Sequence, residues 1–170
     1  CGFFHILHKH CEKVTMANLA QLVNVLGAIQ TKGEKILLTP LYYAFLLYSN
    51  NTGNFLLESN IDVEKYKFEY NGITENIPFI DVSATEDEKN IYIAVINRNE
   101  GTVNGKFEIE ESIKKEGKIL IMSGNSPEAK NTTEKQEVII EEEHFRNFSN
   151  KFNYSFLPYS STILKINKNG

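Results

Sequence analysis

The chain has 170 residues, of which 41% are hydrophobic and 24% charged, and its formal net charge is −4. These values are typical of a folded chain that holds one domain, or one domain and a fragment of another, and they exclude disorder as the main state. The acidic balance argues against a phosphate-binding surface, so we expect no nucleic-acid partner. The longest apolar stretch, residues 36–48, is too short and too interrupted to span a bilayer, so we expect no membrane partner.

The two cysteines and the first residues bear on the compartment. Cys1 and Cys11 lie ten residues apart, whereas a disulfide framework would use more cysteines over a longer span, so we predict two reduced thiols. No signal peptide is visible, which favours a cytoplasmic location. The opening Cys-Gly-Phe-Phe is not a typical natural start, so we expect the chain to be a piece of a larger protein.

The first third of the chain is apolar with mostly helical spacing. The apolar residues within 3–11 lie close to one helical face, which predicts a helix. Residues 14–29 are ambiguous, because a helix with a narrow polar stripe and a buried strand that enters a helix or loop produce the same pattern. A loop is expected at residues 31–34. Pro40 then predicts the start of a second helix, which continues to Ser49.

The remainder of the chain is predicted to consist of β-strands separated by turn-forming segments. The run Ile91–Ile96 is apolar at every position, which predicts a central strand with both faces buried. About eight short strands at this spacing indicate an antiparallel sandwich. The predicted strands are residues 66–70, 79–84, 91–96, 106–110, 118–122, 137–140, 152–156 and 162–166.

One cluster near the N-terminus contains side chains that can bind metals. His5, His8 and His10 lie close in sequence to Cys11, and imidazole and thiolate are ligands that suit zinc. A fourth ligand would have to come from elsewhere, and the usual ligand spacings are missing. We therefore predict ordinary histidines on a helix surface, and we expect no metal or other cofactor.

The acidic groups that could suggest hydrolytic chemistry have simpler structural explanations. Residues 86–88 are predicted to form a solvated turn, and residues 141–143 a charged loop or edge. Asn99–Glu100 is predicted to lie in a hairpin turn. The sequence also lacks a nucleophile elbow and a phosphate-binding glycine loop, which argues against serine hydrolases and nucleotide-binding enzymes.

Gln21 is the polar side chain that most invites a functional interpretation. It lies in a long apolar run, and a buried amide must find hydrogen-bonding partners. Two interpretations of Gln21 stay open from the residues alone: a satisfied structural amide, or a ligand to sugar hydroxyls.

The aromatic residues of the later strands could also form a sugar-binding platform, although their period-two placement favours a sandwich core.

Several motifs resemble, in order, those of one enzyme family. Residues 9–26, which include Met16-Ala-Asn-Leu-Ala-Gln, resemble the last βα region of the α-L-arabinofuranosidases of glycoside hydrolase family 51. Residues 39–49 resemble the helix that follows it in that family. Residues 81–85 and 93–98 resemble the first half of that family's C-terminal domain. Residues 126–134 and 152–164 resemble its second half.

The resemblance implies a (β/α)8 barrel followed by a β-sandwich of jelly-roll type. It implies release of terminal α-L-arabinofuranosyl groups from arabinan- and arabinoxylan-type glycans with retention, by two catalytic glutamates that lie upstream of Cys1. Asn99–Glu100 is not one of them. It also implies that residues 14 to about 21 form the eighth barrel strand, with Gln21 at its C-terminal end bound to arabinose, and that Pro40–Ser49 is the eighth barrel helix.

We therefore expect a mainly β fold: an antiparallel jelly-roll-like β-sandwich, residues 54–170, preceded by an α-helical or βα remnant of the barrel, residues 1–53. The expected function is that of the non-catalytic C-terminal portion of a retaining α-L-arabinofuranosidase. Its expected partners are arabinose-containing oligo- or polysaccharides and the rest of the barrel, with a homo-oligomer left open. The alternative is a stand-alone carbohydrate-binding sandwich or an interaction module. Without its neighbouring strands, the remnant must refold, pack on the sandwich or be buried in an oligomer.

Overall fold

The computed structural model describes residues 1–169, which form two helices and twelve strands. The helices are α1 (Gly2–Lys9) and α2 (Pro40–Ser49). The strands are β1 (Ile29–Lys32), β2 (Lys35–Leu38), β3 (Phe55–Leu57), β4 (Lys65–Tyr70), β5 (Ile73–Pro78), β6 (Ile80–Glu86), β7 (Asn90–Asn97), β8 (Val103–Glu108), β9 (Ile113–Ser123), β10 (Ile139–Phe145), β11 (Lys151–Phe156) and β12 (Ser160–Lys168). The predicted mainly β, antiparallel fold is thus confirmed.

A six-stranded antiparallel sheet organises the molecule, in the order β10-β9-β12-β7-β6-β3. Successive side chains of a strand point to opposite sides of the sheet. Because the central strand β7 is apolar at successive positions, the centre of the sheet is apolar on both faces. In β7, Ile91, Ile93 and Val95 enter one apolar cluster, whereas Tyr92 and Ala94 enter another. The prediction that Ile91–Ile96 is a central strand buried on both faces is confirmed.

The first face of this sheet is covered by aromatic residues from shorter strands. β8 pairs with β11, and the β8–β11 pair supplies Phe107, Phe152 and Phe156 to the core. Phe107 stacks on Phe152 with ring centroids 4.9 Å apart, and Phe148, from the loop before β11, meets Phe152 edge-on. The period-two aromatics of β11 therefore form sandwich core, as predicted. Those of β4 do not, because β4 and β5 form a separate hairpin on which Phe68 and Tyr70 are exposed.

The two helices cover the second face. Leu47 and Tyr48 of α2 are almost completely buried against the sheet, and Phe4 of α1 stacks on Tyr48 with centroids 4.7 Å apart. α2 begins at Pro40, whose missing N–H costs nothing in a first turn, and it ends at Ser49 as predicted. The helices of the first third therefore pack on the sandwich. No helix within residues 1–169 is long and apolar enough to cross a membrane.

Several predicted local structures differ in the structure. Residues 14–21 form neither the helix nor the strand considered for them; between α1 and β1 the described chain has turns and one isolated bridge, Val23 to Ile29. A strand needs neighbours to satisfy its backbone groups, and no strand lies beside this segment. Residues 31–34, expected to be a loop, complete β1 and turn into β2. Asn99–Glu100 lies in a turn that joins β7 to the other layer rather than in a hairpin.

Candidate functional site

Gln21 lies on an exposed segment between α1 and β1, which we name the 14–26 segment. Among residues 1–169 its side-chain amide makes no hydrogen bond, so both its donors and its acceptor are free to bind a ligand. The structure therefore does not show the buried, satisfied amide that was one interpretation of this residue.

The end of the 14–26 segment is anchored to the first hairpin. Asn24 adopts a positive φ of 60°, and its backbone N–H donates to the Ile29 carbonyl at 2.7 Å. The Asn24 side chain accepts from the Thr31 backbone N–H, also at 2.7 Å. Gly27 allows the chain to fold back, because a Cβ there would lie 2.6 Å from the Leu22 carbonyl oxygen. These contacts hold the turn beyond Gln21 in one conformation.

Large apolar side chains surround Gln21 on the same segment. Leu26 is 86% exposed and Met16 76%, values expected of a charged surface residue rather than of Leu or Met. The exposed apolar residues of the segment are Val14, Met16, Leu19, Leu22, Val23, Val25 and Leu26. A contiguous exposed set of this kind marks a surface that another part of a protein covers.

A second group of functional side chains lies beneath α1, and it corrects the prediction for His5. His5 is completely buried rather than on a helix surface. Its Nε2 is hydrogen-bonded to the Tyr48 hydroxyl at 2.8 Å, and that hydroxyl also contacts Ser161 Oγ at 3.1 Å. His5 Nδ1 lies 3.4 Å from Asp81 Oδ1, within ion-pair range but outside hydrogen-bond geometry.

Asp81 is the charged centre of this group. Arg98 Nη2 donates to its Oδ2 at 3.0 Å, and Lys9 Nζ lies 3.5 Å from its Oδ1. Burial alone would raise the pKa of Asp81, but the interactions with His5 and Arg98 outweigh burial and hold that pKa well below its usual range. Burial likewise raises the pKa of Tyr48, so its hydroxyl stays protonated. The group ties α1 and α2 to β6 through polar contacts.

The remaining N-terminal histidines do not assemble a metal site. His8 Nδ1 is hydrogen-bonded to Ser83 Oγ at 2.9 Å, and burial, aided by the nearby His5, lowers the pKa of His8. His10 and Cys11 are exposed beyond the end of α1. No cluster of three or more His, Cys, Asp or Glu side chains in the described part of the chain could hold a metal ion.

The acidic runs have structural partners. Glu86 accepts from Lys168 Nζ at 2.8 Å, and Asp87 closes its turn by accepting from the backbone N–H groups of Lys89 and Asn90. Residues 141–143 lie on β10, at the edge of the large sheet, as predicted for a charged edge. Glu142 pairs with Lys118 at 2.7 Å.

Comparison with known proteins decides the family. A family model described as the alpha-L-arabinofuranosidase C-terminal domain matches residues 1–160. The chain belongs to this family. The resemblance to family 51 arabinofuranosidases, first seen in the motifs, is thereby confirmed.

Individual relatives agree with this assignment. An intracellular exo-alpha-L-arabinofuranosidase of Bacteroides ovatus is 32% identical over 94 residues, which cover 54% of this chain and 18% of that protein. A probable alpha-L-arabinofuranosidase C of Aspergillus clavatus is 26% identical over 96% of this chain and 32% of its own length. The chain therefore spans about a third or less of these relatives.

The fold is also shared with solved enzymes. The family 51 alpha-L-arabinofuranosidase of Thermotoga petrophila superposes with a TM-score of 0.88 at 34% identity, over 97% of this chain and 36% of that one. The Thermotoga maritima enzyme, solved as an arabinose complex, has a TM-score of 0.88 at 32% identity, over 98% of this chain and 37% of that one. The sandwich seen here is thus the C-terminal β-sandwich of family 51 enzymes.

Sequence reasoning missed the group around Asp81. Its members come from positions 5, 48, 81, 98 and 161, and no local pattern brings such distant positions together. One signal was available: Asp81 is a carboxylate between the apolar Ile80 and Val82, and such a residue requires a partner when it is buried.

Proposed function

We propose that the chain is the non-catalytic C-terminal portion of a retaining α-L-arabinofuranosidase. The observation that carries the proposal is the family match over residues 1–160 in a chain that spans only about a third of its relatives. The reaction releases terminal α-L-arabinofuranosyl groups from arabinan- or arabinoxylan-type glycans. The intracellular relative in Bacteroides ovatus supports a cytoplasmic location for the whole enzyme.

Retaining hydrolysis requires two carboxyl groups about 5 Å apart, one on each side of the scissile bond. Two of the better-buried acidic side chains of this chain are instead engaged in structural contacts, Glu86 with Lys168 and Asp81 with Arg98. The catalytic pair therefore belongs to the barrel, and the sandwich supports the barrel from outside.

In this proposal residues 1–53 complete the barrel and residues 54–170 form the sandwich. The exposed apolar side chains of the 14–26 segment are the support for this division, since they are the surface that barrel strands and helices would cover. Once neighbouring strands flank residues 14–21, their backbone groups can pair, and the segment can become the eighth strand.

Gln21 then lies at the C-terminal end of that strand, the end at which barrel enzymes build their active sites. An amide can donate to one sugar hydroxyl and accept from another. Its exposure and lack of a partner within residues 1–169 support a role as a substrate ligand that binds the terminal arabinose.

Two measurements test the proposal. The chain alone should not hydrolyse an aryl α-L-arabinofuranoside, and turnover above a buffer blank would contradict the assignment of both glutamates to the barrel. The chain should also restore activity when it replaces the corresponding C-terminal part of the Thermotoga petrophila enzyme.

In that graft, Gln21→Ala should lower kcat/KM by roughly 5- to 150-fold, the effect of one lost hydrogen bond to the transition state, and leave the melting temperature unchanged. Gln136→Ala is the matched control, since Gln136 is an exposed glutamine in the loop before β10. Wild-type kinetics for the Gln21 variant would remove Gln21 from the site.

A further inference from the structure

The side of α1 that faces the sandwich is polar as well as apolar. Phe4 packs on two aromatic rings of α2, but two further inward side chains are histidines: His5 is completely buried and His8 is half-buried. The opposite side of α1 gains nothing from the sandwich, because Phe3 is 66% exposed and Ile6 53%. The docking of α1 therefore depends on two titratable imidazoles as well as on apolar contact.

Positive groups outnumber negative ones beneath α1. Arg98 Nη2 lies 3.0 Å from Asp81 Oδ2, and Lys9 Nζ lies 3.5 Å from Asp81 Oδ1. Within residues 1–169, Asp81 is the one carboxylate in hydrogen-bond or ion-pair contact with either of these cations or with His5, and no carboxylate is in such contact with His8. The single negative charge is thus already shared between two cations.

His8 is the imidazole that lacks an acidic partner. Its Nδ1 is hydrogen-bonded to the neutral Ser83 hydroxyl at 2.9 Å, and its ring lies 6.4 Å from the ring of His5 between centroids. Burial, aided by the nearby His5, lowers the pKa of His8. The docked helix therefore favours the uncharged imidazole, whereas an undocked one would bind a proton near the ordinary histidine value of about 6.5.

α1 depends on the sandwich to remain helical. It has eight residues, whereas isolated helices shorter than about 12–15 residues are marginal in water. Cys1 makes no side-chain capping hydrogen bond, and the first turn contains no acidic residue. Release and melting of α1 are therefore one event, which converts a change of protonation into a change of conformation.

We propose that α1 is an acid-sensitive switch: protonation of His8 releases the helix from β6 and leaves the sandwich folded. A histidine whose pKa is lower in the docked state stabilises docking above pH ~6.5, and this contribution is lost as the pH falls below that value. One linked proton limits the change in the docking equilibrium to about tenfold per pH unit. Because α1 leads into the 14–26 segment, its release removes one of the two ends that hold this segment.

Other titratable groups around α1 either keep their charge in this range or can be removed. The pKa of Asp81 is held below its usual value, so its carboxylate stays ionised between pH 7.5 and 5. Burial raises the pKa of Tyr48, whose hydroxyl stays protonated. The Cys1 amino group has a pKa lowered by burial and by Arg98, so the test uses a chain acetylated at this group.

Phe4→Trp supplies a reporter of docking, since the chain contains no tryptophan. In the acetylated chain of residues 1–170, lowering the pH from 7.5 to 5 should shift the tryptophan emission to the red, with a midpoint below pH ~6.5. His8→Gln in the same background should abolish this transition, because an amide can still bond to Ser83 but takes up no proton in this range. His10→Gln is the matched control: His10 is exposed beyond the end of α1, so the midpoint should not change.

Hydrogen–deuterium exchange of the acetylated chain without the tryptophan is a second measurement, which decides the matter if Phe4→Trp disturbs the fold. After correction for the intrinsic pH dependence of exchange, protection of the α1 amides should fall between pH 7 and 5, by at most about tenfold per pH unit. The amides of β7 and β12, at the centre of the large sheet, should keep their protection.

Three results would overturn the proposal: protection of α1 that does not change with pH, a transition that persists in the His8→Gln variant, or loss of protection in β7 and β12 together with α1. Persistence in the His8→Gln variant would assign the acid sensitivity to another group, such as His5. Joint loss of protection would mean that the chain unfolds as a whole. The inference does not depend on the proposed function, because both measurements use this chain by itself.

Discussion

Truncation of Ile93 to Ala is the most direct perturbation of the sandwich core. Ile93 is 7% exposed, lies at the centre of the large sheet, and is flanked by Ala84 on β6 and Leu164 on β12. The variant loses three carbon groups, at about 0.8 kcal/mol each for transfer out of water. The cavity adds to this cost, because Ala84 is too small to fill it and the paired strands on both sides limit collapse.

We therefore expect the free energy of unfolding to fall by about 3–4 kcal/mol, within the usual range for Ile→Ala in a core. For a chain of this size that corresponds to a melting temperature lower by roughly 6–16 °C. The assay is equilibrium urea unfolding followed by circular dichroism, with an unchanged m-value as the sign that only stability has changed.

Ile36→Ala is the matched control. Ile36 also lies on a strand, β2, but it is 67% exposed, so the same truncation should change stability by less than about 0.5 kcal/mol. If the two variants unfold at the same urea concentration, Ile93 is not in a packed core and the two-sided burial of β7 is wrong.

Two further predictions concern the group around Asp81. Because its interactions with His5 and Arg98 hold the pKa of Asp81 below the value of about 3.9 expected in the unfolded chain, its ionised form stabilises the fold above pH ~4 and this contribution is lost as the pH falls further. Stability measured between pH 7 and 3 should therefore decline less steeply at the acid end for Asp81→Asn than for the wild type, and equal slopes would refute the ion-pair account. Tyr48→Phe should cost about 1–3 kcal/mol in urea unfolding, because it leaves His5 Nε2 and Ser161 Oγ without their shared partner, and a neutral result would show that these atoms find other partners.

The group around Asp81 also explains how the two N-terminal helices and the sandwich are held together. Apolar contacts of α2, such as that of Leu47, supply burial but little direction. The contacts of α1 with Asp81 and Ser83 fix the helix at one position along β6, because His8 Nδ1 is hydrogen-bonded to Ser83 Oγ and both His5 Nδ1 and Lys9 Nζ lie within ion-pair range of Asp81 Oδ1. The interface therefore has both an apolar and a polar component.

Local chemistry made much of the fold predictable from the sequence. Pro40 at a first helical turn defined the start of α2, and continuous apolar residues from Ile91 to Ile96 indicated a strand buried on both sides. The alternation in 66–70 and 152–156 likewise predicted β4 and β11. These features depend on neighbours a few residues away, so the sequence carries them in full. The family motifs added the assignment to the C-terminal sandwich domain of the arabinofuranosidases, which no periodicity could have supplied.

Tertiary structure alone decided the features that depend on distant partners. His5 has the spacing of a surface histidine, yet it is buried because Tyr48 and Asp81 converge on it from positions 43 and 76 residues away. Residues 14–21 have the composition of a buried strand, but a strand exists only where neighbours satisfy its backbone groups, and no such neighbour lies beside this segment within residues 1–169. Sequence determines which local conformations are favourable, whereas burial and pairing are properties of the assembled chain.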